Sequence, residues 1–331
     1  MTGVSRPVVT RLQRRARTGP AVTGSLRNIW VRLLLYPGHT LPTAAAPVLV
    51  GVGLAVHDRV FALWPVLAGF LGSWFIHVGG VFADNHELLR RYPRVDEHPE
   101  LRQALRSGTL ELRHLKSATI ACFLLGVAPA PWLVYRGGPL ILLIGVVGVA
   151  ASLLYAAGGL RYVRFGLADP VFFLMFGVVA EVGTYYIQAA PAAGNVWTRW
   201  VVPEALPLSV FLAGLPVGAL VTNVLVIDDI RDRAFDRVKG WRTRAVRSGI
   251  RGSRLQYLSL TAFAYLAPFA GWLWLGYSPW VLLPLLSLPL AVPIARAVMT
   301  RHTTEALFPM TPRASMLSLL YAGLLAVGLA L

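Results

Sequence analysis

Long uncharged runs of largely apolar residues recur along the whole chain, and they constrain its fold more than any other feature. A helix that crosses the hydrocarbon core of a bilayer needs about 20 mostly apolar residues. The 331-residue chain is 56% hydrophobic and 14% charged, whereas a soluble domain typically carries about 25% charged residues. One soluble core cannot hide so much apolar surface. The sequence therefore predicts a polytopic membrane protein and excludes a soluble globule or a disordered chain.

Nine of these runs are predicted to be transmembrane helices, which makes the fold all-α. A lipid-exposed backbone must satisfy its own hydrogen bonds, and the runs lack the period-two alternation of barrel strands. The run 255–295 is too long for one span and divides at the turn sequence Gly276-Tyr277-Ser278-Pro279. The predicted spans are residues 41–57, 60–83, 117–135, 137–160, 167–190, 205–227, the two halves of 255–295, and 314–331.

Basic residues are distributed very unevenly between the two sides of these spans. The N-terminal segment and every second loop carry 28 of the 31 Lys and Arg residues, and the opposite loops carry 3. Because basic loops stay in the cytoplasm, we predict a cytoplasmic N-terminus and an external C-terminus in the plasma membrane. The net charge of +16 then reflects membrane topology and not a nucleic-acid partner. We predict a basic cytoplasmic tail at 1–32 and a single membrane domain at 33–331.

Acidic residues concentrate in two cytoplasmic loops of this domain, 84–116 and 228–254, which hold ten of the 15 Asp and Glu residues. Asp84 directly follows the second predicted span, and Asp228 directly follows the sixth. Both acidic clusters are therefore expected at the cytoplasmic surface, which is also where we expect the active site.

The spacing within each cluster indicates a metal site. Asp228, Asp232 and Asp236 are spaced i, i+4 and i+8, so they share one helical face if the sixth helix continues past the apolar run. Asp84 and Glu87 share a face in the same way. Carboxylates so arranged repel each other unless a cation compensates them, and Mg²⁺ binds such oxygens together with phosphate. A solvated loop whose acids pair with its arginines is the alternative. The single cysteine, Cys122, excludes a cysteine-based metal centre.

Three segments of the chain resemble motifs of the UbiA superfamily of intramembrane prenyltransferases, and most closely those of its 1,4-dihydroxy-2-naphthoate polyprenyltransferases of the menaquinone pathway. Residues 228–247, DDIRDRAFDRVKGWRTRAVR, resemble NNxRDxxxDxxxGKRTLAV. Residues 155–169, YAAGGLRYVRFGLAD, resemble YxxxPxKLxYRGLGE, and residues 183–188, GTYYIQ, resemble GxYYxQ. The first acidic motif departs from the usual NDxxD, because residues 83–87 read ADNHE and supply Glu as the second acid.

This resemblance implies Mg²⁺-dependent transfer of a polyprenyl group from a polyprenyl diphosphate to a small aromatic acceptor, through an allylic cation. Asp232 is expected to be essential for catalysis, and Tyr155 and Tyr185 are expected to shield the cation with their ring faces. The remaining site residues fall into two groups. The expected metal ligands are Asp84, Glu87, Asp228, Asp232 and Asp236, and the expected diphosphate ligands are Arg161, Arg231, Lys239 and Arg242.

Two other functions remain open. A UbiA-type terpene synthase would cyclise the allylic cation without an acceptor, and the altered first motif is compatible with that chemistry. A transporter or scaffold is disfavoured, because the acids gather at one membrane face and not along a path across the membrane.

Overall fold

Every regular element in the described part of the chain is helical. The computed structural model describes residues 38–92, 99–155, 161–194, 196–198 and 200–331, so the predicted tail at 1–32 lies outside the described residues. A π-helical segment covers Met175–Val179, and 3₁₀ helices cover Tyr162–Phe165, Pro203–Ala205 and Pro279–Ser287. The α-helices are α1 (Thr40–His57), α2 (Leu63–Arg91), α3 (Pro99–Arg106), α4 (Leu112–Val127), α5 (Ala130–Leu154), α6 (Ala168–Leu174), α7 (Ala180–Ala193), α8 (Leu208–Lys239), α9 (Arg244–Arg247), α10 (Gly249–Trp274), α11 (Leu288–Thr300), α12 (Thr304–Leu307) and α13 (Met310–Ala330).

Seven helical segments among the described residues are long and apolar enough to cross a membrane. The two other predicted spans coincide with α4, which has only 16 residues, and with α10, which is long enough but not apolar enough to be counted among the seven. The number of nine crossings therefore stays a prediction. The seven segments are Thr40–His57, Leu63–Arg91, Ala130–Leu154, Ala168–Ala193, Leu208–Lys239, Pro279–Thr300 and Thr304–Ala330.

Several helix boundaries differ from the predicted ones. The break expected at Arg136 is instead a turn at 128–129, followed by a kink within α5 at Gly138. Gly138 has φ 67°, and a Cβ there would collide with the Val196 carbonyl oxygen, so the kink needs glycine. The predicted loops 84–116 and 228–254 are partly helical, since α2 extends to Arg91 and α8 extends to Lys239. Hydropathy marks where a helix leaves the apolar phase and not where it ends.

Helix α8 is the most buried of the seven segments and lies at the centre of the bundle, while α5 is the most exposed. Close approach to α8 depends on glycine. Gly214 and Gly218 pack against Gly177 of the π-helical segment, and a Cβ on Gly218 would collide with the Cα of Gly177. The central helix is therefore held at close range to the α6–α7 segment, which forms one wall of the site described below.

The ends of α2 and α8 and the starts of α1 and α13 lie together at one end of the bundle. Tyr92, just after α2, donates its hydroxyl hydrogen to the carbonyl of Lys239 at 3.0 Å. Ser315 in α13 donates to the carbonyl of His39, which precedes α1, at 2.7 Å. Since α2 and α8 carry the two acidic clusters, we call this the acidic end of the molecule.

Candidate active site

Three aspartates lie one turn apart on α8, at the acidic end. Because α8 continues through Lys239, Asp228, Asp232 and Asp236 share one helical face, as their spacing predicts for a continued helix. The helix then ends at Gly240, whose φ of 71° is a conformation that glycine adopts without strain. This glycine stop directs the following residues back towards the aspartates.

Arg231 holds two of these carboxylates in position. Its Nη1 lies 2.6 Å from Oδ1 of Asp228, while Nε and Nη2 donate to the two oxygens of Asp232 at 2.9 and 2.5 Å. Thr311 from α13 donates to Asp228 at 2.6 Å and accepts from Arg231 at 3.1 Å. The Arg231 guanidinium also lies over the ring of Phe308, 5.4 Å from its centroid. These contacts fix the arginine, which was predicted as a diphosphate ligand, directly beside two predicted metal ligands.

Lys239 forms an ion pair with the third aspartate, Asp236. Its Nζ lies 3.0 Å from Oδ1 of Asp236 and 3.6 Å from the centroid of the Trp241 ring. Thr243 donates to Oδ2 of Asp236 at 3.2 Å. The Lys239 side chain is 1% exposed, so this cation is a buried counter-charge for Asp236.

A cavity of about 1630 Å³ opens from the acidic end into the membrane domain. Ligand sites for drug-sized molecules are usually about 300–1,000 Å³, so this one suits a larger, elongated ligand. Its walls are mainly apolar side chains of α2, α5 and the α6–α7 segment. Its polar end is lined by six carboxylates, those of Asp84, Asp228, Asp229, Asp232, Asp236 and Glu305.

Aromatic rings line the cavity next to these carboxylates. Tyr155 meets the ring of Tyr162 edge-on at 5.6 Å and that of Trp241 at 6.3 Å. Burial, together with the nearby negative charges of Asp84 and Asp229, holds the pKa of Tyr155 well above its usual value. The phenol therefore stays neutral. The two carboxylates that raise its pKa come from α2 and α8, the two helices that carry the predicted metal ligands.

Glu87 is directed away from this cavity. It forms an ion pair with Arg90 at 2.9 Å and another with Arg91, both on its own helix, and it does not line the cavity. The structure thus brings Asp84 to the acidic cavity end and leaves Glu87, the second predicted ligand of α2, paired with arginines.

Tyr185 lies far from the acidic end, which corrects its expected role in shielding the cation. Its hydroxyl donates to Oδ2 of Asp58 at 2.6 Å, and Asp58 follows the last residue of α1. Since α1 begins at the acidic end and has 18 residues, its far end lies about 27 Å away at 1.5 Å per residue.

Three of the four predicted diphosphate ligands lie outside the cavity lining, namely Lys239, described above, and two arginines. Arg161 is half-buried at the start of the 3₁₀ helix Tyr162–Phe165, and Arg242 is exposed after the α8 stop. Neither contributes to the lining, although their neighbours Tyr162 and Trp241 do.

Sequence reasoning missed several residues that line the cavity. Asp229 is 6% exposed and forms no ion pair with any described residue. Its spacing to Asp232 and Asp236, i+3 and i+7, was a usable signal for the shared face. Asn85 and His77 also line the cavity. His77 precedes Asp84 by two helical turns, so the helical period could have identified it.

The carboxylates of the acidic end fit Mg²⁺. Among the residues that the structure describes, no three His, Cys, Asp or Glu side chains converge on a single point. Mg²⁺ does not need such a cage, because it is usually bound by one or two carboxylates together with water and substrate phosphate oxygens. Hard oxygen donors from both α2 and α8, next to an apolar cavity, are the donor set that such an ion requires.

Comparisons with known proteins identify the family of the chain. A family model described as "UbiA prenyltransferase family" matches residues 44–320. The 1,4-dihydroxy-2-naphthoate octaprenyltransferase of Mycobacterium tuberculosis is 27% identical over 283 residues, covering 86% of this chain and 91% of the relative. The enzyme of that name from Escherichia coli is also 27% identical, covering 83% and 86%. A UbiA homolog from Aeropyrum pernix shares the fold, with a TM-score of 0.61 and 17% identity over 83% of this chain and 94% of that one. These findings confirm the resemblance inferred from the motifs: the chain belongs to the UbiA prenyltransferase family and is a prenyltransferase with multiple membrane helices.

Proposed function

We propose that this protein transfers a polyprenyl group from a polyprenyl diphosphate to a small aromatic acceptor, with Mg²⁺ as its cofactor. One observation carries the proposal: a single cavity of about 1630 Å³ joins a cluster of carboxylates to a long apolar interior. A polyprenyl diphosphate has the same division between a charged head and an apolar tail.

The charge balance of the acidic end favours a divalent cation. Six carboxylates line it, and Arg231 and Lys239 form ion pairs with three of them, Asp228, Asp232 and Asp236. A diphosphate would add further negative charge, so it cannot enter without more positive charge. Asp84, Asp228, Asp229, Asp232 and Asp236 would hold Mg²⁺, and the bound metal would neutralise the charge that develops on the leaving diphosphate.

The surrounding residues suit the ionisation that this transfer needs. The bond between the allylic carbon and the diphosphate oxygen breaks, and both electrons leave with the diphosphate. An electron-rich ring carbon of the acceptor attacks the allylic cation and then loses its proton to water or to the departing diphosphate. Tyr155 and Trp241 line the cavity beside the carboxylates, and aromatic rings in this position stabilise a cation. The apolar walls keep water from intercepting it.

The acceptor is proposed from the relatives. Five curated relatives carry the name 1,4-dihydroxy-2-naphthoate octaprenyltransferase, at 24–28% identity. We propose 1,4-dihydroxy-2-naphthoate, or a dihydroxylated aromatic acid like it, as the acceptor. From the distribution of basic residues, the reaction is proposed to occur at the cytoplasmic face of the plasma membrane.

Product analysis tests this function. The purified protein in lipid nanodiscs is incubated with Mg²⁺ and radiolabelled polyprenyl diphosphate, with and without 1,4-dihydroxy-2-naphthoate. A labelled adduct that forms only with the acceptor is expected. A labelled hydrocarbon that forms without the acceptor would instead identify a terpene synthase, and release of no product under any condition would contradict prenyl transfer.

A further inference from the structure

Three glycines in the cavity wall face empty space. A Cβ built on Gly69 of α2, or on Gly145 or Gly148 of α5, meets no atom within 4 Å, and all three residues line the cavity. Glycines elsewhere on the same helices behave differently. A Cβ on Gly80 would collide with Ser152, and one on Gly72 would lie 2.9 Å from the Gly126 carbonyl oxygen. Packing between helices therefore explains Gly72 and Gly80 but not these three.

The open glycines lie at successive depths below the carboxylates. Helices α2 and α5 touch near the acidic end, where Ser152 donates to the Ile76 carbonyl at 2.9 Å. Below that contact, Gly148 and Gly145 come about 10 and 15 Å before Tyr155 at 1.5 Å per residue. Gly69 comes about 22 Å before Asp84 by the same measure. The missing side chains therefore keep the cavity wide at three levels beneath the polar end.

We propose that Gly148, Gly145 and Gly69 determine the length of the prenyl chain that the enzyme accepts, by leaving the space that the distal isoprene units fill. This inference rests on the proposed function, since it assigns the apolar part of the cavity to the donor's tail. A side chain at any of these positions would occupy the tail's path. Its Cβ would displace no protein atom, because none lies within 4 Å of it. The three glycines then act as graded determinants of specificity, with Gly148 closest to the reacting carbon.

Substitution by leucine tests this proposal, because leucine is apolar and a better helix former than glycine. Gly148→Leu, Gly145→Leu and Gly69→Leu are assayed with geranyl, farnesyl, geranylgeranyl and octaprenyl diphosphate. Gly271→Leu in α10 is the matched control, because Gly271 lies outside the cavity lining and its Cβ would meet only Tyr277, at 3.9 Å. Alanine variants at the three positions form a second, milder series, and monodispersity and Tm report on folding.

The expected result is a graded change in donor preference. Each leucine variant keeps turnover of the shorter donors. Its ratio of kcat/KM for octaprenyl diphosphate to kcat/KM for geranyl diphosphate falls about tenfold or more, because overpacking a filled site typically costs about 1–3 kcal/mol. The maximum prenyl chain length that is accepted is lowest for Gly148→Leu, intermediate for Gly145→Leu and highest for Gly69→Leu. The alanine series follows the same order with smaller shifts, and the control keeps the wild-type profile.

Two results would overturn the chain-length proposal. One is a wild-type donor profile in folded leucine variants, and the other is an equal loss of all donors, including geranyl diphosphate. If a leucine variant does not fold, an unchanged profile in its alanine counterpart would equally count against the proposal. Failure of the wild-type protein to turn over any donor would overturn the proposed function, and this inference with it.

Discussion

At the scale of single residues, the carboxylates of the acidic end differ in how their charge is balanced. Asp228 and Asp232 share Arg231, and Asp236 has Lys239. Asp229 has no ion-pair partner among the described residues. A carboxylate that is buried without a counter-charge is costly, so Asp229 gains most from a bound cation. The paired aspartates are held in position before any ligand arrives.

Asp232→Ala is expected to abolish turnover without unfolding the protein. Asp232 lies at the centre of the carboxylate array, and removing an electrostatic group of this kind from an active site typically lowers kcat by about 10²–10³. Arg231 keeps its ion pair with Asp228. Turnover of labelled donor and acceptor measures the effect, and Tm in detergent checks the fold. Near-wild-type turnover by folded protein would remove the second acidic cluster from the mechanism.

The first acidic cluster is tested by comparing two substitutions on α2 that each remove one charge. Asp84→Asn is expected to lower kcat about 100-fold or more, because Asp84 lines the polar end of the cavity. Glu87→Gln is expected to change kcat only a few-fold, because Glu87 is held by Arg90 and Arg91 outside the lining and exposed ion pairs contribute about 0–1 kcal/mol. Steady-state kinetics with both substrates checks this. If Glu87→Gln proved as severe as Asp84→Asn, the metal-ligand role first expected of Glu87 would be restored.

At the scale of secondary-structure elements, helical geometry explains which parts of the site the sequence predicts. The shared face of Asp228, Asp232 and Asp236 follows from the helical period alone. Position along a span is equally informative, and Tyr185, near the far end of predicted span 167–190, could have been assigned to the end opposite the acids. The pairing of Glu87 with its neighbouring arginines competes with metal binding, and spacing alone does not distinguish the two outcomes.

The π-helical segment is an element that hydropathy does not reveal. Cavity-lining residues recur every fourth position through it, at Val171, Met175, Val179, Gly183 and Ile187. In a regular α-helix such a series would turn steadily away from the cavity, because 3.6 residues complete a turn. A π-helical turn holds more residues than an α-helical one. It therefore takes up part of that rotation and keeps one face towards the cavity.

Gly240→Val is expected to lower stability and activity together. Gly240 ends α8 at φ 71°, and a non-glycine residue in this left-handed region costs about 1–2 kcal/mol. The strain would also disturb the turn that brings Trp241 to Lys239 and Thr243 to Asp236. Tm and kcat/KM are measured beside Gly271→Val, a helical control without a positive φ. Equal Tm values for Gly240→Val and the wild-type protein would refute the strain argument.

At the scale of the whole molecule, the membrane explains both what was predicted and what was not. Apolar runs predict helices because lipid offers the backbone no hydrogen-bond partners. Apolar runs do not predict where neighbouring helices are in contact and where they diverge. The cavity between α2, α5 and the α6–α7 segment depends on both. The turn at 128–129 and the kink at Gly138 are similarly invisible to hydropathy, since both lie within largely apolar sequence.

The distribution of basic residues predicts which end faces the cytoplasm. With Cys122 replaced by alanine, single cysteines are introduced at two exposed positions, Arg244 at the acidic end and Ala192 near the end of α7. Ala192→Cys is expected to react with a membrane-impermeant maleimide in intact spheroplasts. Arg244→Cys is expected to react only after permeabilisation. The reverse pattern would mean that the acidic end, and the active site with it, faces outward.

The metal dependence of turnover tests the central claim most directly, namely that the carboxylates of the acidic end act through a divalent cation. Purified protein is depleted with excess EDTA, metal content is verified by elemental analysis, and Mg²⁺ or Mn²⁺ is then titrated back with donor and acceptor present. We predict no product in the depleted enzyme and full recovery with either ion, as hard oxygen ligands require. Full turnover by enzyme shown to contain no divalent metal would contradict the claim.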